Sequence, residues 1–186
     1  MKRLTIILAH PKYAESIANK TIVEEVMSKY PDASLRNIYA LYPEFNIDVK
    51  SEQKNLLDSD VVVFQYPMYW YNMPAIMKQY FDKVFEYGFA YGSNGDKLKD
   101  KVFLPCITIG SQEESYGPLG ENHFRVSDFL TNLEQTAYFS QMIYKKPIVG
   151  YGMTYIPDVF GNPKVVKANA EFQAHRLLLE LGKILK

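Results

Sequence analysis

The sequence predicts a single α/β domain, residues 1–186: a five-stranded parallel sheet with helices on both faces. Three observations carry that expectation. Short continuous apolar runs recur at residues 4–9, 60–66 and 102–108, as strands buried on both faces require. Between them lie stretches whose apolar residues repeat at helical spacing. Strict alternation of the two implies right-handed crossovers and hence parallel pairing. At 186 residues the chain has room for one compact domain, and no internal repeat, low-complexity tract or linker divides it.

The elements follow in order. Residues 4–9 form a strand ended by His10-Pro11, and a helix follows over 16–30, with Ile17, Ile22, Val23, Val26 and Met27 on its apolar face and Pro31-Asp32 to stop it. A second strand is placed at 35–39 and a short helix at 51–57, capped by Ser51. Residues 60–66 are the third strand, closed by Pro67. Pro74 suits the first position of a helix running to about residue 87, because its fixed φ fits there and its missing N–H is not needed. The fourth strand, 102–108, runs into Gly110-Ser111. A polar loop over 112–125 leads to a helix over 126–140. Residues 142–151 are strand-like, with Pro147 implying an edge position or a bulge. A last helix covers 164–185.

Composition excludes several classes. Lys+Arg and Asp+Glu are both 21, for a formal net charge of +0. A nucleic-acid binder would need a basic face, so no such partner is expected. Hydrophobic residues at 47% and aromatics at 15% exceed what one core needs and point to a site or an interface. A lone cysteine, Cys106, forms no disulfide framework or thiolate cluster and fits a reducing cytosol. The run at 4–9 is too short for a signal h-region or a membrane span. A soluble, cytoplasmic protein is expected, with docking onto a membrane partner left open.

In parallel sheets ligands bind beyond the carboxyl ends of the strands, where strand order reverses. Three loops should meet there. The first carries His10, Ser16, Ile17, Ala18 and Asn19 at a helix opening, where free N–H groups suit a phosphate; plain N-capping by Ser16 accounts equally for its presence, and His10 has a similar alternative as a histidine satisfied by local backbone. The second, Pro67-Met68-Tyr69-Trp70-Tyr71-Asn72-Met73-Pro74, sets three adjacent aromatics between prolines. No strand or helix period buries such a run. Contact with an aromatic ligand explains it, as does an aromatic plug shared with a second subunit. The third, Thr108-Ile109-Gly110-Ser111, offers backbone donors to a flat heterocycle.

Other chemistries lack their residues. There is no G-x-G-x-x-G, no phosphate-loop motif and no G-x-S-x-G elbow. A receiver domain would want acidic residues where Ala9-His10 stands. His10, His123, His175 and Cys106 show no metal-ligand spacing, so no metal is expected. Cys106 reads as a small buried hydrophobe.

At these three loops the sequence resembles the flavodoxin-like NAD(P)H:quinone oxidoreductases, and within them the short bacterial branch that includes the ancillary proteins of glutathione-gated potassium efflux. The markers are Ala9-His10-Pro11 with Ser16-x-x-Asn19, Leu41-Tyr42-Pro43-Glu44-Phe45-Asn46-Ile47-Asp48, the stretch from Gln65 to Pro74, Asp82-Lys83-Val84, Ala90-Tyr91-Gly92, Thr108-x-Gly110 and Leu133-Glu134-Gln135-Thr136-Ala137. The resemblance implies a three-layer sandwich with strand order 2-1-3-4-5, and a flavin (FMN, alternatively FAD) held by His10, Ser16, Ile17, Ala18, Asn19, Pro67, Met68, Tyr69, Trp70, Tyr71, Thr108, Ile109, Gly110 and Ser111. It also implies a homodimer that walls the flavin from both subunits. Two departures stand out. Ile109 and Ser111 replace members of a Thr-Thr-Gly-Gly loop. Of the tyrosine and histidine that balance charge in some relatives, Tyr116 matches the first, whereas the second aligns with Asn122, next to His123. Tyr116 and His123 are therefore the candidate catalytic residues.

The expected mechanism is a ping-pong cycle. NAD(P)H stacks on the exposed flavin face at roughly 3.5 Å, gives up a hydride and leaves, and a quinone takes its place. Donors near Gly110 would stabilise the charge that builds at the flavin's carbonyl edge. Competing readings are azo- or nitro-compound reduction at the same site, and a regulatory flavoprotein subunit bound peripherally to a potassium-efflux transporter at the inner face of the membrane. A one-electron flavodoxin carrier fits poorly, since it would want an acidic surface.

Overall fold

The computed structural model describes residues 2–186. Its strands are β1 (Leu4–Leu8), β2 (Ser34–Asn37), β3 (Val61–Pro67), β4 (Val102–Thr108), β5 (Ile143–Tyr144) and β6 (Ile148–Gly150). Its helices are α1 (Ile17–Lys29), α2 (Ile38–Leu41), α3 (Val49–Leu57), α4 (Ala75–Val84), α5 (Val126–Phe129), α6 (Thr131–Phe139) and α7 (Pro163–Ile184). The sheet order is β2-β1-β3-β4-β5, every pairing is parallel, and β6 also pairs with β4. The predicted fold class and strand order therefore hold.

Strand alternation divides the core in two. Val61 and Val63 of β3, with Leu104 and Cys106 of β4, pack beneath α1 and α7. Val62, Phe64 and Tyr66 of β3, with Phe103 and Ile107 of β4, pack beneath α3, α4 and α6. Both faces of the central strands are covered, which is why they read as unbroken apolar runs. Each fully buried aliphatic side chain contributes about 2 kcal/mol of transfer free energy. Cys106 is fully buried in the first of these cores, and desolvation pushes its thiol up to about 12.

The structure corrects several boundaries. Asp48 rather than Ser51 caps α3, its Oδ1 accepting from the Ser51 N–H at 3.0 Å. Pro74 is the residue before α4, with ψ of 149°, and its carbonyl accepts from Met77 N–H at 2.9 Å. Strand β2 stops at Asn37, which caps the turn α2. The predicted helix over 126–140 breaks at Leu130, whose φ of −104° and ψ of 1° lie outside the helical range while its side chain is anchored in the core. The fifth strand is interrupted at Lys145-Lys146-Pro147, where the ladder lacks the proline N–H. Just past the break Gln173 of α7 ties β4 to β6, its Nε2 donating to the carbonyls of Ile107 at 2.9 Å and Ile148 at 3.0 Å. Among the described residues no helix is long and apolar enough to cross a membrane.

Candidate functional site

The carboxyl ends of β1, β3 and β4 lie side by side, so the loops after them share one rim. Two cavities open on it, of about 410 and 250 Å³, and Met68, Gly110 and Thr154 line both. The larger is bounded by the turn before α1, the smaller by the aromatic turn after β3.

In the first loop Ser16 is the N-cap of α1, its Oγ accepting from the Asn19 N–H at 3.1 Å. The N–H groups of Ile17 and Ala18 precede the first intrahelical bond and have no acceptor within the helix; both residues border the larger cavity. Capping and an open helix N-terminus thus coexist. Asn19 plays a different part from the expected ligand donor. It is 2% exposed, its Nδ2 donates to Thr108 Oγ1 at 3.0 Å, and its carbonyl accepts from Gln65 Nε2 at 3.3 Å. It braces the start of α1 against β3 and β4. His10 accepts from the Lys12 N–H at Nδ1, at 3.1 Å, which in the neutral ring places the proton on Nε2. Burial lowers the pKa of His10, partly opposed by Glu15, so the ring is a neutral donor on the cavity wall. Lys12 and Glu15, 3.9 Å apart and exposed, border the mouth.

The second loop is a two-residue hairpin. Tyr69 N–H donates to Asn72 O at 2.8 Å and Asn72 N–H returns to Tyr69 O at 3.0 Å. Trp70 and Tyr71 between them take φ of +47° and +62°, the pattern of a turn that ordinarily wants Asn-Gly. Each bulky residue held there costs on the order of 1 kcal/mol. The turn leaves Trp70 92% exposed. Tyr71 instead stacks on Phe129 at 5.0 Å and donates its hydroxyl to Asn122 Oδ1 at 3.0 Å. A strained turn that presents the largest apolar side chain to solvent serves no packing purpose in the lone chain.

In the third loop Ile109 is occupied by the fold. Its N–H donates to Gly150 O at 2.8 Å and its side chain is 2% exposed. The N–H groups of Gly110 and Ser111 make no hydrogen bond among the described residues, and both residues line the smaller cavity. A β-carbon at Gly110 would meet Thr154 Oγ1 at 2.1 Å, so any larger residue there requires the Thr154 hydroxyl or the loop to move. Tyr116 borders the same cavity, and its pKa is raised chiefly by desolvation.

All the residues expected to hold a cofactor border one cavity or the other, and Tyr116 joins them. His123 does not. It is exposed, with φ of +57°, and lines neither cavity. Asn122 stands at the rim instead, tied to Tyr71 and, through Nδ2, to Ser115 O at 3.1 Å. Sequence reasoning missed Met153, Thr154 and Tyr155, which follow β6 and wall the larger cavity. Their one signal is the Gly150-Tyr151-Gly152 triplet, whose last glycine, at φ of +64°, turns the chain back over the rim. Lys12, Glu15 and Val166 carried no motif at all.

Comparison with known proteins bears on the fold and the family. A family model described as a flavodoxin-like fold matches residues 2–175. The glutathione-regulated potassium-efflux system ancillary protein KefG of Cronobacter sakazakii is 38% identical over 149 residues, 80% of each chain. The uncharacterized NAD(P)H oxidoreductase YrkL of Bacillus subtilis is 38% identical over 156 residues, 84% of this chain and 88% of its own. The crystal structure of general stress protein 14 from Treponema denticola in complex with FMN has a TM-score of 0.83 at 30% identity, covering 94% of this chain and 97% of that one.

Proposed function

The chain belongs to the flavodoxin-like fold family, and from that premise we propose that it is an FMN-dependent NAD(P)H:quinone oxidoreductase acting by a ping-pong cycle. One observation carries the reading: unpaired first-turn N–H groups, unpaired loop N–H groups and an exposed aromatic turn all face one continuous rim. That donor set fits a planar heterocycle carrying a phosphate, and the relative from Treponema denticola was solved with FMN.

Each residue then has a task. Ile17 and Ala18 N–H, Ser16 Oγ and the neutral His10 ring would hold the phosphate, aided by the positive end of α1. Gly110 and Ser111 N–H would meet the polar edge of the ring and stabilise negative charge there. Tyr69, Trp70 and Tyr71 wall its apolar face and exclude water. When bound, the flavin supplies the two-electron chemistry. Desolvation keeps the Tyr116 hydroxyl protonated, and from the rim it donates a hydrogen bond to an incoming acceptor oxygen. One slot serves donor and acceptor in turn, which is the basis of the ping-pong order. No acid or base of fixed geometry shapes the slot, so acceptors of varied structure should enter it.

A homodimer is part of the proposal. Tyr87 and Phe139 are 67% and 63% exposed, and a cavity of about 580 Å³ between α4 and α6 is lined by Phe81, Phe85, Tyr91 and Phe139. A second copy laid on this face would cover them. The relation to KefG supports a second reading, an ancillary subunit docked peripherally on a potassium-efflux transporter.

The test is the absorbance spectrum of the purified protein. A yellow protein that bleaches with NAD(P)H under anaerobic conditions, and parallel initial-rate lines with a quinone, are expected. A colourless protein that takes up no flavin would refute the enzyme. Co-purification with a transporter in the absence of turnover would favour the ancillary reading.

A further inference from the structure

We propose that a second groove, continuous with the rim through Tyr116, receives the phosphorylated ribose of NADPH and makes this chain prefer NADPH to NADH. The inference deepens the reading above and rests on it. The groove, of about 840 Å³, runs along β6 between the loop after β4 and helix α7. Tyr116 lines both this groove and the smaller rim cavity, and its ring packs against Tyr151 at 6.1 Å. A ligand whose reactive end lies at the rim can therefore extend along the strand.

What it would meet there is positive charge. Arg125, Lys146 and Arg176 line the groove, and none of them pairs with a carboxylate among the described residues. Arg176 is held in place: one Nη1–H donates to Val149 O at 2.8 Å and the guanidinium lies 5.9 Å from the Phe172 ring. Its remaining donors are free for an anion. Two carboxylates, Glu113 and Glu114, also line the groove, but they sit on the turn just before Tyr116, at the rim end. Three cations and two carboxylates thus share the lining, an excess of one positive charge, and Glu113 and Arg176 both act on Tyr151.

The span fits a dinucleotide. A fully extended chain advances about 3.3 Å per residue, which sets the reach from Tyr151 to Lys146 at no more than roughly 16 Å, the scale on which a nicotinamide dinucleotide carries its ribose phosphate away from the reacting ring. A phosphate monoester dianion gains charge-assisted, two-pronged hydrogen bonds from arginine. The bare ribose hydroxyl of NADH gains little from the same three cations.

Adenosine 2′,5′-bisphosphate and 5′-AMP, titrated calorimetrically into the purified protein, test the subsite without turnover. The bisphosphate should bind at least tenfold more tightly, and Arg125→Gln with Lys146→Gln should bring the two within twofold. The same pair of substitutions should lower the NADPH-to-NADH ratio of kcat/KM at least tenfold through KM. Lys146→Gln alone, at an exposed position without a partner, keeps the test readable if the pair impairs folding, and should lower both preferences about threefold. Equal binding of the two nucleotides by the parent protein, or a ratio unmoved by the substitutions, overturns the proposal. Failure of the oxidoreductase reading shows separately, as a protein that takes up no flavin, while the titration still reports on the groove.

Discussion

Gly110 and Thr154 come from segments far apart in the chain, and their fit decides the shape of the rim. With 2.1 Å between a β-carbon at position 110 and Thr154 Oγ1, Gly110→Ala must displace either the Thr154 hydroxyl or the loop that offers its N–H groups. A loss of FMN affinity of at least tenfold is expected in a fluorescence titration. In a Thr154→Ala background the nearest remaining atom stands at 3.5 Å, an ordinary contact, and the same change should there have little effect. Equal losses in both backgrounds would sink the steric account. His10 gives a pH signature. Burial lowers its folded pKa below that of the unfolded chain, so the unfolded state binds the proton more readily. Its contribution to stability is complete above about pH 6.5 and is lost as pH falls through that value toward the folded pKa. In flavin-free protein His10→Gln should flatten the drop in urea midpoint between about pH 7.5 and about pH 5.5; an unchanged drop refutes the assignment. Residue types were legible in the sequence at this scale, but their tasks were not. Asn19 reads as a donor at a helix opening and turns out to be a brace, because its partner Thr108 is 89 residues away.

The turn at Tyr69–Asn72 shows an element working against local preference. Trp70 has almost no packing to lose, so Trp70→Asn relieves left-handed strain and should raise the stability of the flavin-free protein by about 0.5–1 kcal/mol in urea unfolding. The same change should weaken FMN and donor binding. A destabilised variant would show that the indole packs on the chain itself. On the far side of the sheet, β2 is tied to α3 and α4 through Glu52, which is fully buried. Its carboxylate accepts from Arg36, from Tyr42 Oη at 2.5 Å and from Tyr80 Oη at 3.3 Å. Glu52→Ala strands these donors and should cost about 3 kcal/mol in chemical denaturation; a loss under 1 kcal/mol would mean that water replaces the carboxylate. Strong elements were plain in the sequence because β3 and β4 are apolar on both faces and α4 on one. The break at Leu130 and the split fifth strand were not, since each depends on what packs against it: the core around Leu130, and Gln173, which ties β6 to β4 just past Pro147.

For the whole molecule the aromatic surplus is the open account. Trp70, Tyr87, Phe124 and Phe139 are each at least 60% exposed, and apolar surface of this kind marks an interaction site where it gathers into a patch. In the proposed homodimer Phe139→Asp, on the wall of the cavity between α4 and α6, should shift sedimentation from dimer to monomer and lower flavin affinity with it. A parent protein that sediments as a monomer would remove this part of the proposal.

Periodicity and punctuation determined the fold by themselves: apolar runs that must be buried on both faces, helical stripes between them, and prolines where strands end leave a parallel, doubly covered sheet as the consistent solution. They also placed three loops at one rim, because parallel strands all point their carboxyl ends the same way. Only the tertiary structure decided which groups remain free there. A backbone N–H is available to a ligand when no other segment has taken it, and whether Gly150 reaches Ile109, or Asn122 rather than His123 reaches Tyr71, is settled by packing between parts of the chain that carry no mark of each other in sequence.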